Sequence, residues 1–130
     1  MRYDDKTKNN ITALMANVTA NDAVSASIDG ANYSHVQFFI MSSTGAGQRL
    51  SVKVQESADN VSFTDISGAI TVINANTSNA LRTLLIDHKK YQRYLRILSN
   101  HVLGTPTLYA AYCIQQNEKN SLAPAPQVIF

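Results

Sequence analysis

The sequence predicts an all-β fold: an antiparallel β-sandwich, jelly-roll-like, of about eight short strands with extended N- and C-terminal arms. Two observations carry this. Leu50, Val52 and Val54 alternate strictly with Ser51, Lys53 and Gln55, and a period of two sends one set to a buried face and the other to water. Runs of this kind then recur along the chain, each bounded by Gly, Asn, Asp or Ser, whose small side chains suit tight turns.

Taken in order, residues 23–28 read as a strand closed by Asp29 and Gly30. Residues 33–42 place Val36, Phe38 and Ile40 on one face and Phe39 and Met41 on the other, so this strand is expected to be covered on both sides for part of its length. The Gly-rich connection 43–47 leads into the Leu50 strand. Ser57, Ala58, Asp59 and Asn60 supply a turn, Val61, Phe63 and Ile66 resume the apolar pattern, and Ser67-Gly68 interrupts it before a return strand over 69–73. Residues 81–87 and 93–99 follow, the latter with Leu95 and Ile97 inward and Tyr94, Arg96 and Leu98 outward. The last strand, 106–116, is expected to turn Leu108, Ala110, Tyr112 and Ile114 to one face, and Pro106 is acceptable at its start because the first residue of a strand need not donate to the ladder. The expected core is Val36, Phe38, Ile40, Leu50, Val52, Val54, Phe63, Leu95, Ile97, Leu108 and Ile114. Ile11, Leu14 and Met15 sit at helical spacing, which allows a short helix over 10–16. The organisation is then an N-terminal arm or short helix over 1–19, a sandwich over 20–116, and an extended C-terminal arm over 117–130.

With 130 residues, 45% apolar and 15% charged, and a formal net charge of +2, the chain suits one folded domain with a rather neutral surface. That balance excludes a disordered chain and a strongly electrostatic nucleic-acid binder. No run approaches the roughly 20 apolar residues of a membrane span, and residues 1–10 lack the apolar core of a signal peptide, so synthesis in the cytoplasm is expected. Cys113 is the single cysteine, which removes any disulfide within one chain. In the last segment Pro124 and Pro126 favour an extended backbone, and Val128, Ile129 and Phe130 follow it. Such a segment either folds back over its own sheet or docks on a neighbouring subunit.

Catalytic and cofactor signatures are not found. Gly45 and Gly47 have no Lys-Ser/Thr after them and read as a hairpin turn. Asp59 and Asp65 lack the spacing of a calcium loop, and His35, His88 and His101 lack that of a zinc site. Cys113, opposite Tyr112 in its strand, reads as a small packing residue. The Asn-x-Ser/Thr triplets at Asn10, Asn17, Asn32, Asn60 and Asn76 read as turn residues. No enzyme and no cofactor is expected.

The wording of residues 52–69, V-K-V-Q-E-S-x-D-x-x-x-F-T-D-I-x-G-A, and the K-x-Y-x-R-Y-L-R-I run of residues 89–97 resemble small β-sandwich head proteins of tailed bacteriophages, among them capsid decoration or cement proteins. The resemblance covers roughly residues 20–116. It implies a structural virion protein on the capsid surface, with the major capsid protein as partner. A homo-oligomer, dimer or trimer, is expected because a small sandwich gains from covering its edges. The basic and aromatic segment 87–97 then reads as a turn and strand whose Arg and Tyr serve a protein interface rather than nucleic acid. Interface candidates are Arg2, Tyr3, Phe39, Met41, Tyr91, Arg93, Tyr94, Arg96, Leu98, Val128, Ile129 and Phe130. Head-completion, neck or tail proteins are the alternative within this class. A carbohydrate-binding sandwich is the alternative outside it, weakened by the absence of Trp.

Overall fold

Antiparallel pairing in a nested order rolls the chain into two sheets. The computed structural model describes residues 9–31 and 33–116. Its strands are β1 (Asn9–Val18), β2 (Ala23–Val24), β3 (Ile28–Asp29), β4 (His35–Ser43), β5 (Arg49–Ser57), β6 (Thr64–Ile73), β7 (Ala80–Asp87), β8 (Tyr94–Leu103) and β9 (Thr107–Gln116), with one 3-10 turn at His88–Lys90. β1 pairs with β9, β2 and β3 with β8, β4 with β7, and β5 with β6. Two further pairings, β4 with β9 and β5 with β8, close the sheets. One sheet is therefore ordered β1-β9-β4-β7 and the other β2-β8-β5-β6, with β3 beside β2's partner β8. That is the jelly-roll order, a long hairpin wound into two Greek keys, as expected from the sequence.

The core lies between the sheets. Val36, Phe38, Ile40, Leu50, Val52, Val54, Leu95, Ile97 and Leu108 are all fully buried there, joined by Ile73 and Ile86. Two expected core residues are not in it. Phe63 is half-buried outside the core cluster, under the Arg96 guanidinium 4.0 Å from its ring centroid. Ile114 is half-buried on the outer face, because β9 changes parity on the way. Ser42 faces Leu108 but Met41 faces Ala110, so Tyr109 is an extra residue, a β-bulge. A one-residue slip reverses every later side chain. Beyond it Ala111, Cys113 and Gln115 point inward, and Ala110, Tyr112 and Ile114 point out.

A second bulge corrects the helical reading of residues 10–16. They belong to β1, where Ala13 faces Tyr112 and Met15 faces Ala111. Leu14 is the extra residue, and Leu14, Met15 and Val18 all pack against the core. Adjacent apolar residues on one side of a strand imitate helical spacing. Likewise Ser67-Gly68 does not end a strand. β6 runs through it with a register shift opposite Val54, and Gly68 takes φ +83, open to glycine at little cost. The detour keeps both Ile66 and Ala69 buried.

The polar turn residues have the roles their chemistry dictates. Asn17, Asn60 and Asn76 adopt φ of 51, 63 and 59, a left-handed conformation that Asn tolerates better than most residues. In the β5–β6 turn, Ser57 Oγ accepts from Asn60 N–H and Asp59 Oδ1 accepts from Val61 and Ser62 N–H. These donors hold the Asp59 carboxyl below its usual range. Gly30 packs directly on His88: a Cβ there would lie 2.3 Å from His88 Nδ1 and 3.0 Å from the Arg93 carbonyl.

Candidate interface

Alternation in β4 buries Val36, Phe38 and Ile40 and thereby turns Phe39 and Met41 outward. Phe39 faces Tyr112 across the β4–β9 pairing, and the rings stack with centroids 4.8 Å apart and planes 9° apart. Met41 faces Leu81 on β7 and Ala110 on β9. Met41 (37% exposed), Tyr109 (47%) and Leu81 (54%) line a shallow hollow of about 180 Å³ with Ser42, Asn79 and Ala80. Ile11 on β1 is exposed on the same sheet. The outer face of the β1-β9-β4-β7 sheet thus carries an aromatic pair and several large apolar side chains in water.

The opposite outer face is mixed: Val24, Ile70 and Val72 are exposed on it, beside a strip of polar side chains that is internally cross-linked. Arg96 Nε donates to Gln55 Oε1 at 2.8 Å, Gln55 Nε2 donates to Asp65 Oδ1 at 2.8 Å, and Lys53 Nζ pairs with Asp65 Oδ2 at 2.8 Å. Lys53 and Gln55 hold the Asp65 carboxyl below its ordinary range. Leu98 faces Val24 on β2 and Lys53 on β5. Phe39 and Met41 therefore lie on one outer face, and Tyr94, Arg96 and Leu98 on the strand β8 of the other sheet. The sequence candidates do not make one continuous patch.

Segment 87–97 is a built corner. Asp87 accepts from Lys89 N–H at 2.9 Å and caps the 3-10 turn, while Tyr91 packs against the core cluster. Arg93 grips Asp29 with both ends of its fork, Nε to Oδ1 at 2.8 Å and Nη2 to Oδ2 at 2.7 Å, and lies over the Tyr94 ring at 5.2 Å. This pairing lowers the Asp29 carboxyl to about 2. Arg93 and Arg96, two of the four cations (with Lys89 and Lys90) that make the segment read as basic, are both engaged with protein groups. Arg2, Tyr3, Val128, Ile129 and Phe130 lie outside the described residues.

Behind that corner Gln115, buried, ties three elements together. Its Oε1 accepts from Asn10 Nδ2 at 3.1 Å, its Nε2 donates to the Asp29 carbonyl at 2.8 Å, and it meets His88 Nε2 at 3.4 Å. His88 is buried with Nδ1 unpartnered. Desolvation, with His35 nearby, depresses it to about 4, and Asp87 and Asp29 only partly oppose this. Cys113 is buried too, its thiol pushed up to about 11 by desolvation, so it is an inert packing group. Among the described residues no three His, Cys, Asp or Glu side chains gather as metal ligands.

Sequence reasoning missed Tyr112, Tyr109 and Leu81. Plain alternation puts Tyr112 inward, because the Tyr109 bulge leaves no mark in it.

The two sheets define a jelly-roll β-sandwich, an architecture that viral capsid and lectin domains share. Among solved structures the chain is similar to the SPBc2 prophage-derived protein YomS, with a TM-score of 0.60 and 11% identity over 85% of this chain and 95% of that one. It is also similar to a protein of Bacillus endospore appendages, a family of disulfide-linked pili, with a TM-score of 0.50 and 13% identity over 85% of this chain and 89% of that one. At these identities the likeness is one of fold. No family model and no curated protein matches the sequence.

Proposed function

We propose that this protein is a structural component of a tailed-phage virion, a decoration or cement protein that self-associates through the outer face of the β1-β9-β4-β7 sheet and binds the major capsid protein through its terminal segments. The observation that carries the reading is the exposed apolar face around Phe39, Met41, Leu81, Tyr109 and Tyr112. A sandwich hides its apolar residues between its sheets, so large apolar side chains clustered on an outer face mark a contact with another molecule. A second copy is the occupant that fits best. A sheet face with stacked aromatics can pack on the same face of a two-fold partner, as one sheet packs on another about 10 Å away within a sandwich.

Attachment to the shell falls to the terminal segments. Val128, Ile129 and Phe130 follow a Pro-spaced stretch, and complete burial of such side chains is worth roughly 1.5–3 kcal/mol each. Repetition around a shell multiplies a weak contact into stable binding. The fold likeness to a prophage-derived protein agrees with this reading, as do the inert Cys113 and the engaged Arg93 and Arg96.

Sedimentation and capsid pull-down test the two halves together. Leu81→Asp is expected to abolish concentration-dependent self-association while leaving the β-rich spectrum intact. Deletion of residues 123–130 is expected to leave a folded sandwich with lowered occupancy on purified capsids. A truncated protein that binds capsids as well as the intact one overturns attachment through this segment, and a monomer at all concentrations overturns the dimer face.

A further inference from the structure

The sandwich is open between β1 and β3, an edge strand of each sheet, and there the structure holds a second surface of different chemistry. A cleft of about 440 Å³ is lined by Asn10 and Thr12 from β1, Asp29 from β3, Tyr33, Arg93 and, as its floor, Gln115. That volume falls within the usual range for small-molecule sites.

We propose that this cleft binds a neutral saccharide. The lining excludes other ligand classes in turn. Among the described residues Asp29 and Arg93 are its two charged groups, and they neutralise each other face to face, so neither an anion nor a cation meets an unbalanced charge from them. Apart from Ile28 and Ala31 the wall is amide, hydroxyl, carboxylate, guanidinium and phenol, so a purely apolar ligand would strip water from polar groups without replacing its hydrogen bonds. A pyranose offers what this surface lacks: hydroxyls that donate and accept at neighbouring positions, and C–H faces for Tyr33 and Ile28.

The polar groups are also fixed in advance. Gln115 is 2% exposed and its amide is held by Asn10, the Asp29 carbonyl and His88. Asp29 is held by both ends of the Arg93 fork and by Ala31 N–H at 2.9 Å. A guanidinium has five N–H donors, and Asp29 takes one from Nε and one from Nη2. Among the described residues, donors on Nη1 and Nη2 therefore remain beside the ionised carboxylate. A vicinal diol matches that pair: one hydroxyl donates to Asp29 while its neighbour accepts from Arg93. Groups held rigid before binding lose little freedom when the sugar arrives. The proposal does not depend on the virion role, since it rests on a different part of the molecule.

Titration of the intact ¹⁵N-labelled protein with maltotriose, cellotriose or chitotriose, and with sialyllactose as the charged control, tests it by amide chemical shifts. At least one neutral trisaccharide is expected to give saturable shifts centred on Asp29, Ala31 and Arg93. Binding is expected to weaken by about tenfold or more in Arg93→Gln and in Asn10→Ala, the loss of a hydrogen bond to a fixed site. Asn10→Ala removes an exposed side chain and keeps the test open if Arg93→Gln disturbs the corner. Absence of shifts with all three neutral sugars, shifts confined to another surface, or tighter binding of sialyllactose would each overturn the proposal.

Discussion

Ile97→Ala is expected to lower unfolding free energy by on the order of 2–4 kcal/mol, and Val52→Ala by a similar amount near the low end of that range. Both side chains are fully buried, on neighbouring strands β8 and β5 that pair at the centre of their sheet. Each truncation removes apolar surface already withdrawn from water and leaves a cavity that rigid paired strands cannot close. Against a typical domain stability of about 5–15 kcal/mol, this is a large fraction. Urea denaturation followed by circular dichroism measures it: the midpoint should fall with the slope unchanged. A loss below about 0.5 kcal/mol, the usual size of a surface substitution, would place Ile97 outside the core.

The second large effect is an acid-side loss of stability set by His88. The fold keeps this ring neutral, with its value lowered from 6.5 to about 4. As pH falls below 6.5 the unfolded chain takes up a proton that the folded protein refuses, so the unfolded state gains. The loss grows until pH reaches about 4, where the folded ring also protonates, and then levels off. Integrated over that interval the shift is worth about 3 kcal/mol. Asp29 acts in the same direction but at lower pH, because its carboxyl is held at about 2 against a usual 3.8. The two windows are therefore separable. Denaturation midpoints across the 6.5-to-4 interval are expected to drop in the native protein and stay nearly level in His88→Asn. An equal drop in both would assign the acid sensitivity elsewhere.

Much of this fold was legible in the residues. Strand faces in β4, β5 and β8 followed from strict alternation, because a strand buried on one side imposes a period of two. Pro106, Asp59 and the Asn turns marked where strands begin and end, since their backbone preferences are local. What was not legible was register. The bulges at Leu14 and Tyr109 and the detour at Gly68 arise from pairing with distant strands, and no local preference announces them. One slipped residue exchanged Ile114 for Cys113 in the core and hid Tyr112 from the apolar face.

The candidate interface divides in the same way. Phe39 and Met41 were identifiable as outward residues on a strand rich in large apolar side chains. Their partners Tyr112, Tyr109 and Leu81 come from strands adjacent only in the rolled-up sheet. Arg93 and Arg96 looked like a basic surface because their acceptors, Asp29 and Gln55, lie 64 and 41 residues away in sequence. The cleft beneath Arg93 was invisible for the same reason: it joins β1, β3 and β9, which meet only once the jelly roll has closed.

A decoration protein, the role proposed above, is built into the virus particle as a repeated surface component. Quantitative mass spectrometry of purified virions tests it most directly, with the shell subunit as internal standard. The expected result is a copy number of the same order as that of the shell subunit. Absence of the protein from purified particles would contradict the claim outright, and a copy number far below that of the shell subunit would contradict the decoration role.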